Sequence, residues 1–163
     1  MTLFIISKSL PGTGQRLALS RKICAFMEDT ARAFQAVVAL HEEFDARKKL
    51  LPAGPPKELA DAITDVDKQF HALEDGNTEA PGFGILNRDL GHDLVMVQSA
   101  DMKPAESAYN AVNSGCNSIA KNIAAWNKLN AEALPSLNKL LKDQKVEEMK
   151  VGPAAPAPPP CSK

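Results

Sequence analysis

The longest uninterrupted stretch of this chain, residues 15–51, contains neither proline nor glycine and repeats its apolar side chains at steps of three and four. Proline and glycine tend to end helices, and this spacing places side chains along one face of an α-helix. The stretch therefore predicts one helix of about 54 Å. Its predicted buried stripe is Leu19, Ile23, Phe26, Thr30, Phe34, Val37, His41, Phe44 and Lys48.

Composition favours the all-α class and excludes several functions. Of the 163 residues, 44% are hydrophobic but only 5% are aromatic, and a β-sandwich needs aromatic and β-branched side chains on its sheets. The net charge of −1 provides no field that would attract nucleic acid or an anionic membrane. No stretch approaches the roughly 20 apolar residues that cross a bilayer. We therefore predict no nucleic-acid partner and no membrane insertion.

Three further helices follow the first in the same pattern. The second is predicted over residues 57–75 and the third over 85–100, each after a segment rich in proline and glycine. The fourth runs from Pro104 towards Asp143, and Pro135 inside it predicts a kink or a break. Short loops make sequential helices antiparallel, so the predicted fold is an up-down four-helix bundle in the order long, short, short, long.

Two segments flank the predicted bundle of residues 15–143. Residues 1–14 are predicted to be irregular, and their apolar run Leu3–Ile6 is too short for the core of a signal peptide. The chain is therefore expected to carry no export signal, although it could be a fragment of an exported protein. Residues 144–163 are predicted to be a disordered tail, because the proline-rich run from Gly152 cannot form a helix and has little to bury.

Two long helices beside two short ones are expected to overhang at one end, where the first begins and the fourth finishes. The 76–84 loop with Phe83, the Leu3–Ile6 segment or another protein could cover the apolar side chains there. We predict that this end is an interaction surface. Its residues are Leu3, Phe4, Ile5, Ile6, Leu17, Leu19, Leu134, Leu137, Leu140 and Leu141. The predicted core anchors are Phe26, Phe34, Phe44, Phe70, Leu90, Ile119 and Trp126.

The chain has three cysteines and no Cys-x-x-Cys pair, which argues against a zinc ribbon or a redox motif. Cys24 and Cys116 lie on apolar helix faces and are predicted to be buried free thiols. Cys161 lies in the tail and is predicted to be exposed. The odd number of cysteines excludes a complete disulfide framework.

The histidines do not fit a known metal motif. His41-Glu42 begins like the zinc-protease pattern His-Glu-x-x-His, but Asp45 replaces the second histidine. His41 falls on the apolar stripe, so a histidine at the core edge is favoured over a ligand. His92 has only Asp89 where a di-iron bundle needs glutamate. We predict no metal site, no cofactor and no catalytic residue.

The second half of the chain carries a family resemblance. Gly82-Phe-Gly-Ile-Leu-Asn87-Arg-Asp-Leu90 leads to Val97-Gln-Ser-Ala-Asp101-Met-Lys-Pro104, and then come Trp126 and Leu134-Pro135-Ser-Leu137-Asn138. In order and spacing these residues resemble the C-terminal helical region of bacterial sortilin-like β-propeller proteins. Those proteins contain BNR (Asp-box) repeats and are often labelled glycosyl hydrolases.

The resemblance implies a helical appendage that follows a propeller, in a periplasmic or extracellular setting. This chain has no Asp box, so no propeller or hydrolase activity transfers to it. The first hypothesis is a non-catalytic helical interaction module whose partner is a β-propeller or another protein. The second is a structural subunit of a larger assembly, which self-associates or docks through the overhanging ends of the long helices.

Overall fold

A computed structural model describes residues 12–99, 102–155, 157, 160 and 161. The predicted contact segment Leu3–Ile6 lies outside these residues. Within them the regular structure is helical, and the closest approach to a strand is one isolated bridge between Gly76 and Pro81. The prediction of an all-α chain is therefore confirmed.

Five α-helices and one π-helical turn are present in the part of the chain that the structure describes. They are α1 (Thr13–Lys48), α2 (Lys57–Glu74), α3 (Phe83–Ser99), α4 (Glu106–Lys128), the π-helical turn (Leu129–Ala133) and α5 (Leu134–Asp143). These bounds lie within three residues of the predicted ones, apart from the division of the last helix. Because Phe83 is buried in the first turn of α3, that helix begins two residues before its predicted start.

Pro135 changes the last helix without breaking the chain's helical course. It lies in the first turn of α5, where the missing amide hydrogen costs least. Just before it, the amide of Leu134 bonds to the carbonyl of Leu129, five residues back, which is π-helical spacing. The interruption predicted from Pro135 therefore takes the form of a widened turn.

Helix α2 packs against the second half of α1 and runs in the opposite direction. His41 of α1 contacts Glu74, near the end of α2, with 2.8 Å between ring nitrogen and carboxylate oxygen. About two turns further along α1, Lys48 contacts Asp67, which lies earlier in α2, at 3.0 Å. The two helices are therefore antiparallel.

Helix α3 packs against the first half of α1 and is also antiparallel to it. Gly84 lies beside Phe34, and the side-chain amide of Asn87 donates to the backbone carbonyl of Met27 at 2.7 Å. Since α2 and α3 both run against α1, they point the same way and follow one another along it. The predicted up-down order of four side-by-side helices is therefore wrong.

The loop between α2 and α3 explains this direction. The amide of Gly82 donates to the carbonyl of Asp75 at 2.7 Å, so the two ends of the loop lie next to each other. Gly76 starts the loop with a φ of 63°, a backbone angle that favours glycine. The loop therefore leaves α2 and returns to the same place, and α3 continues in the direction of α2. The rule that short loops join antiparallel helices does not cover this case.

Helices α4 and α5 form the third rod, which runs parallel to α1. Near the start of α1, Lys22 contacts Asn113 of α4, and near its end, Phe44 and Leu141 of α5 line one small cavity. The fold is thus a bundle of three rods, namely α1, the α2–α3 pair and the α4–α5 pair. Together α2 and α3 extend along most of α1, so the predicted overhang does not exist.

The core runs the length of the three rods. Of the predicted anchors, Phe34 is half-buried and the others are buried; they are Phe26, Phe44, Phe70, Leu90, Ile119 and Trp126.

The chain after α5 folds back along the bundle. The side-chain amide of Asn138 bonds to both backbone groups of Met149, at 2.8 and 2.9 Å. The indole N–H of Trp126 donates to the carbonyl of Pro153 at 3.0 Å. This segment forms no helix within the described residues, as its prolines predict. The predicted disorder is wrong for these residues, because helix side chains supply the hydrogen bonds that an extended backbone lacks.

A disulfide joins the end of this segment to the middle of α4. Cys116 and Cys161 are bonded, with 5.6 Å between their Cα atoms and a sequence separation of 45. The predicted free thiol at Cys116 is therefore wrong, although its position on the inner face of α4 is right. Cys24 is free as predicted, but it is exposed rather than buried.

Candidate functional site

Five of the six predicted interaction residues that the structure describes pack inside the bundle or against its core. Their side chains pack in the chain's own core or stand half-buried against it, as seen for Leu19, Leu134, Leu137, Leu140 and Leu141. Leu17 is the exception, since 49% of it is exposed. The buried leucines cannot contact a partner in the folded chain. They therefore do not form the interaction surface that was predicted at the overhanging helix ends.

A different apolar surface lies at one end of the bundle, where α1 begins, α3 ends and α4 starts. Six large apolar side chains are exposed among the described residues, and four of them are at this end. We call these four the apolar end: Leu17, Val95, Met96 and Met102, which are between 49% and 75% exposed. The other two, Leu50 and Val151, lie in the other half of the bundle.

A groove of about 610 Å³ adjoins the apolar end between the first turns of α1 and the start of α4. Leu19, Pro104 and the half-buried Tyr109 supply an apolar lining. Lys22 and Lys103 stand at its sides. The groove is a recess in which apolar side chains of a partner can be buried, close in sequence to Leu17 and Met102 of the apolar end.

A polar cluster lies at the α1–α2 contact, in the other half of the molecule. His41 is only 9% exposed, and its ring stacks on Phe70 with 4.8 Å between centroids. Its Nδ1 lies 2.8 Å from Oε1 of Glu74, and its Nε2 lies 3.4 Å from Oδ1 of Asp67. The prediction of a core-edge histidine is confirmed, and a carboxylate oxygen lies within hydrogen-bonding distance of each ring nitrogen.

Lys48 completes the electrostatics of this cluster. Its ammonium lies 2.9 Å from Asp45 and 3.0 Å from Asp67. Burial opposes the ionisation of Asp67, but hydrogen bonds from Lys48 and His41 outweigh it and hold the pKa of Asp67 below its ordinary value. Burial likewise opposes the charge on Lys48, and the two carboxylates outweigh it and raise the pKa of that ammonium.

His71 lies on the solvent side of the cluster. Its ring is perpendicular to that of His41, with 5.0 Å between centroids. His41, His71 and Glu74 each place a donor atom within 4.8 Å of the others. Sequence reasoning missed this group because it sought ligands within one helix. The His71-x-x-Glu74 spacing was visible, but its pairing with His41 depends on how α1 and α2 align.

None of the helices formed by the described residues is long and apolar enough to cross a membrane. Comparison with protein-family models, with curated proteins and with solved structures found no match to this chain. The resemblance to the helical region of sortilin-like proteins therefore stays a prediction.

Proposed function

We propose that this chain is a non-catalytic helical interaction module that docks through its apolar end onto a β-propeller of the sortilin-like class. The supporting observation is that, of the six large apolar side chains exposed among the described residues, four lie at that end. Removing each from water contributes about 1 to 2 kcal/mol to an association. The family resemblance supports the class of partner.

The N-terminal segment belongs to the proposed contact. A side chain on Gly12 would collide with the backbone of Lys103, 2.6 Å away, so the chain enters the bundle beside the apolar end. The segment that leads into Gly12 carries the apolar run Leu3–Ile6, and extended apolar segments can add to exposed sheet edges. Propeller blades offer such edges.

The disulfide supports the exported setting that the resemblance implies. Disulfides form and persist in oxidising compartments such as the periplasm and the extracellular space, and they are rare in a reducing cytosol. The bond between Cys116 and Cys161 is therefore consistent with a partner that meets the chain outside the cytosol.

Binding to a purified sortilin-like propeller tests the proposal, measured by biolayer interferometry with the full chain. A Val95→Lys, Met96→Lys double variant should bind at least about tenfold more weakly, because two lysines must be desolvated in the contact. The matched control is Leu50→Lys, Val151→Lys, whose original side chains are similarly exposed at 65% and 62%. It should bind as the original chain does. Absence of binding by the original chain, or equal loss in both variants, would overturn the proposal.

The alternative, a structural subunit that self-associates, would use the same apolar end. Two copies can bury the same four side chains against each other in a two-fold contact. Size-exclusion chromatography with light scattering separates the two functions. A dimer that Val95→Lys, Met96→Lys converts to a monomer supports the alternative, and a monomeric original chain contradicts it.

A further inference from the structure

We propose that His41, His71 and Glu74 form a binding site for a divalent transition-metal ion of the zinc type, which links α1 to α2. The site lies in the half of the bundle away from the apolar end, so it is independent of the docking proposal. Two imidazoles and one carboxylate are a ligand set that zinc takes when its fourth position remains open to water.

The donor atoms are already near the separations that zinc requires. Nδ1 of His41 lies 2.8 Å from Oε1 of Glu74, and Nδ1 of His71 lies 4.0 Å from Oε2 of Glu74. With bonds of about 2.0 to 2.1 Å, two donors on a tetrahedral zinc ion are about 3.4 Å apart. The first separation lies below that value and the second, which is to the other carboxylate oxygen, lies above it, and the three donor atoms all lie within 4.8 Å of one another. Side-chain rotations therefore have to bring the three donors to the zinc distances. The ion would replace the hydrogen bond between His41 and Glu74.

The backbone holds the three ligands in place. His71 and Glu74 are three residues apart on α2 and therefore share one side of that helix. His41 is fixed from α1 by its stacking on Phe70. The Glu74 side chain is only 15% exposed, whereas that of His71 is 67% exposed, so an ion can enter from the His71 side.

The charge around the site suits a divalent cation. Three carboxylates, those of Asp45, Asp67 and Glu74, surround His41, and the ammonium of Lys48 neutralises one of them. With neutral imidazoles this cluster carries two unbalanced negative charges. A bound divalent ion balances both of them.

Asp67 has the position of an orienting partner rather than a ligand. Its carboxylate faces Nε2 of His41 at 3.4 Å and is itself held by Lys48 at 3.0 Å. When the ion binds, the hydrogen on Nδ1 of His41 is released to solvent and the Nδ1 lone pair binds the metal, while a hydrogen on Nε2 donates to Asp67. Metal-binding histidines commonly donate their second ring hydrogen to a carboxylate in this way, which fixes the tautomer.

A second group of donors, His41, Asp45 and Asp67, also lies within 4.8 Å. Lys48 argues against it, because its ammonium contacts both carboxylates at 2.9 and 3.0 Å. An ion there would have to displace that ammonium. The set that contains His71 is therefore the one we propose.

Titration of the full chain with zinc by calorimetry, and with cobalt by visible absorption, tests the site. All variants carry Cys24→Ser, since an exposed thiol binds zinc by itself. We expect one zinc ion per chain and a rise in melting temperature on binding. His71→Ala, which alters an exposed side chain, should weaken binding at least about tenfold and abolish the cobalt ligand-field bands.

His92→Ala is the matched control, because His92 is the remaining histidine and is exposed on α3. It should leave affinity unchanged. The proposal is overturned by absence of saturable zinc binding, by unchanged affinity in His71→Ala, or by equal losses in His71→Ala and His92→Ala. A loss in Asp45→Asn without a loss in His71→Ala assigns the ion to the second group and overturns it as well.

Discussion

Asn138 bonds to both backbone groups of Met149, and Asn130 accepts the amide of Gly152 at 2.7 Å. A side-chain amide has one donor end and one acceptor end, so it can pair with an extended backbone much as a neighbouring strand does. Asn138 is also one of the residues on which the resemblance to sortilin-like proteins rests. The role that the structure gives Asn138 is to hold the returning segment, so a function must be argued from other residues.

At the scale of single residues, the burial of a side chain could be predicted from the sequence, but its hydrogen-bond or disulfide partner could not. The helical stripe placed Trp126 and Phe70 in the core, since spacing alone decides which face is apolar. The indole N–H of Trp126, however, meets a carbonyl 27 residues away. The bond between Cys116 and Cys161 and the grouping of His41 with His71 also join residues far apart in sequence, so they could not be predicted either. Such pairs depend on the alignment of whole elements.

Asp67→Asn should lower the free energy of unfolding by about 0.5 to 1 kcal/mol at neutral pH, because it removes a charge paired with Lys48. The pKa of Asp67 is lowered from 3.8 in the folded chain, so its contribution is complete above that value and disappears as the pH falls through the folded pKa. The pKa of Lys48 is raised from 10.5 in the folded chain. Its contribution to the free energy of unfolding is therefore lost as the pH rises through that raised pKa.

Urea unfolding at pH 7 and at pH 3 measures this difference. Asp61→Asn serves as control, because Asp61 pairs with Lys57 on the exposed face of α2 and should have no measurable effect. If Asp67→Asn lowers the free energy of unfolding by as much at pH 3 as at pH 7, the effect does not come from the charge on Asp67, and the prediction is wrong.

At the scale of elements, the helices could be predicted from the sequence and the direction of α3 could not. Proline and glycine positions fixed the bounds of the helices, which is local information. The direction of α3 depends on hydrogen bonds that close the loop, such as the one from Gly82 to Asp75. No pattern of residue types distinguishes that closed loop from a loop that reverses the chain.

Gly82→Ala should destabilise the fold by about 1 to 3 kcal/mol, because its new Cβ would lie 2.7 Å from the backbone of Asp75 and force the loop apart. Gly14→Ala is the matched control. A Cβ at Gly14 meets no atom within 4 Å, so alanine there should leave stability unchanged or raise it by up to about 1 kcal/mol. Equal midpoints of urea unfolding for the two variants would show that the loop is not closely packed.

At the scale of the whole molecule, three rods pack together, and a disulfide joins the returning segment to one of them. The segment after α5 contacts α4 and α5 through side-chain hydrogen bonds, and Cys161 then ties it to Cys116 in the core. Neither the returning segment nor its bond could be predicted, because a proline-rich composition is typical of chains that do not pack.

Cys161→Ser should lower the free energy of unfolding by about 4 kcal/mol, since the bond closes a loop of 45 residues in the unfolded chain. Denaturant unfolding of this variant should match that of the original chain in reductant. Cys24→Ser, which alters the exposed thiol, should behave as the original chain under oxidising conditions. A Cys161→Ser variant as stable as the oxidised original would refute the stabilising role of the bond.

The same bond raises the question of which cysteines pair first. Cys116 is made while Cys161 is still 45 residues away, and within this sequence Cys24 is the one cysteine that precedes Cys116. A premature Cys24–Cys116 bond would trap α1 against α4 in the wrong arrangement. In the folded bundle Cys24 faces outward and Cys116 inward, so the packing of α4 against α1 and α3 keeps the two apart. We expect correct oxidation of this chain to require that its helices assemble before its thiols react.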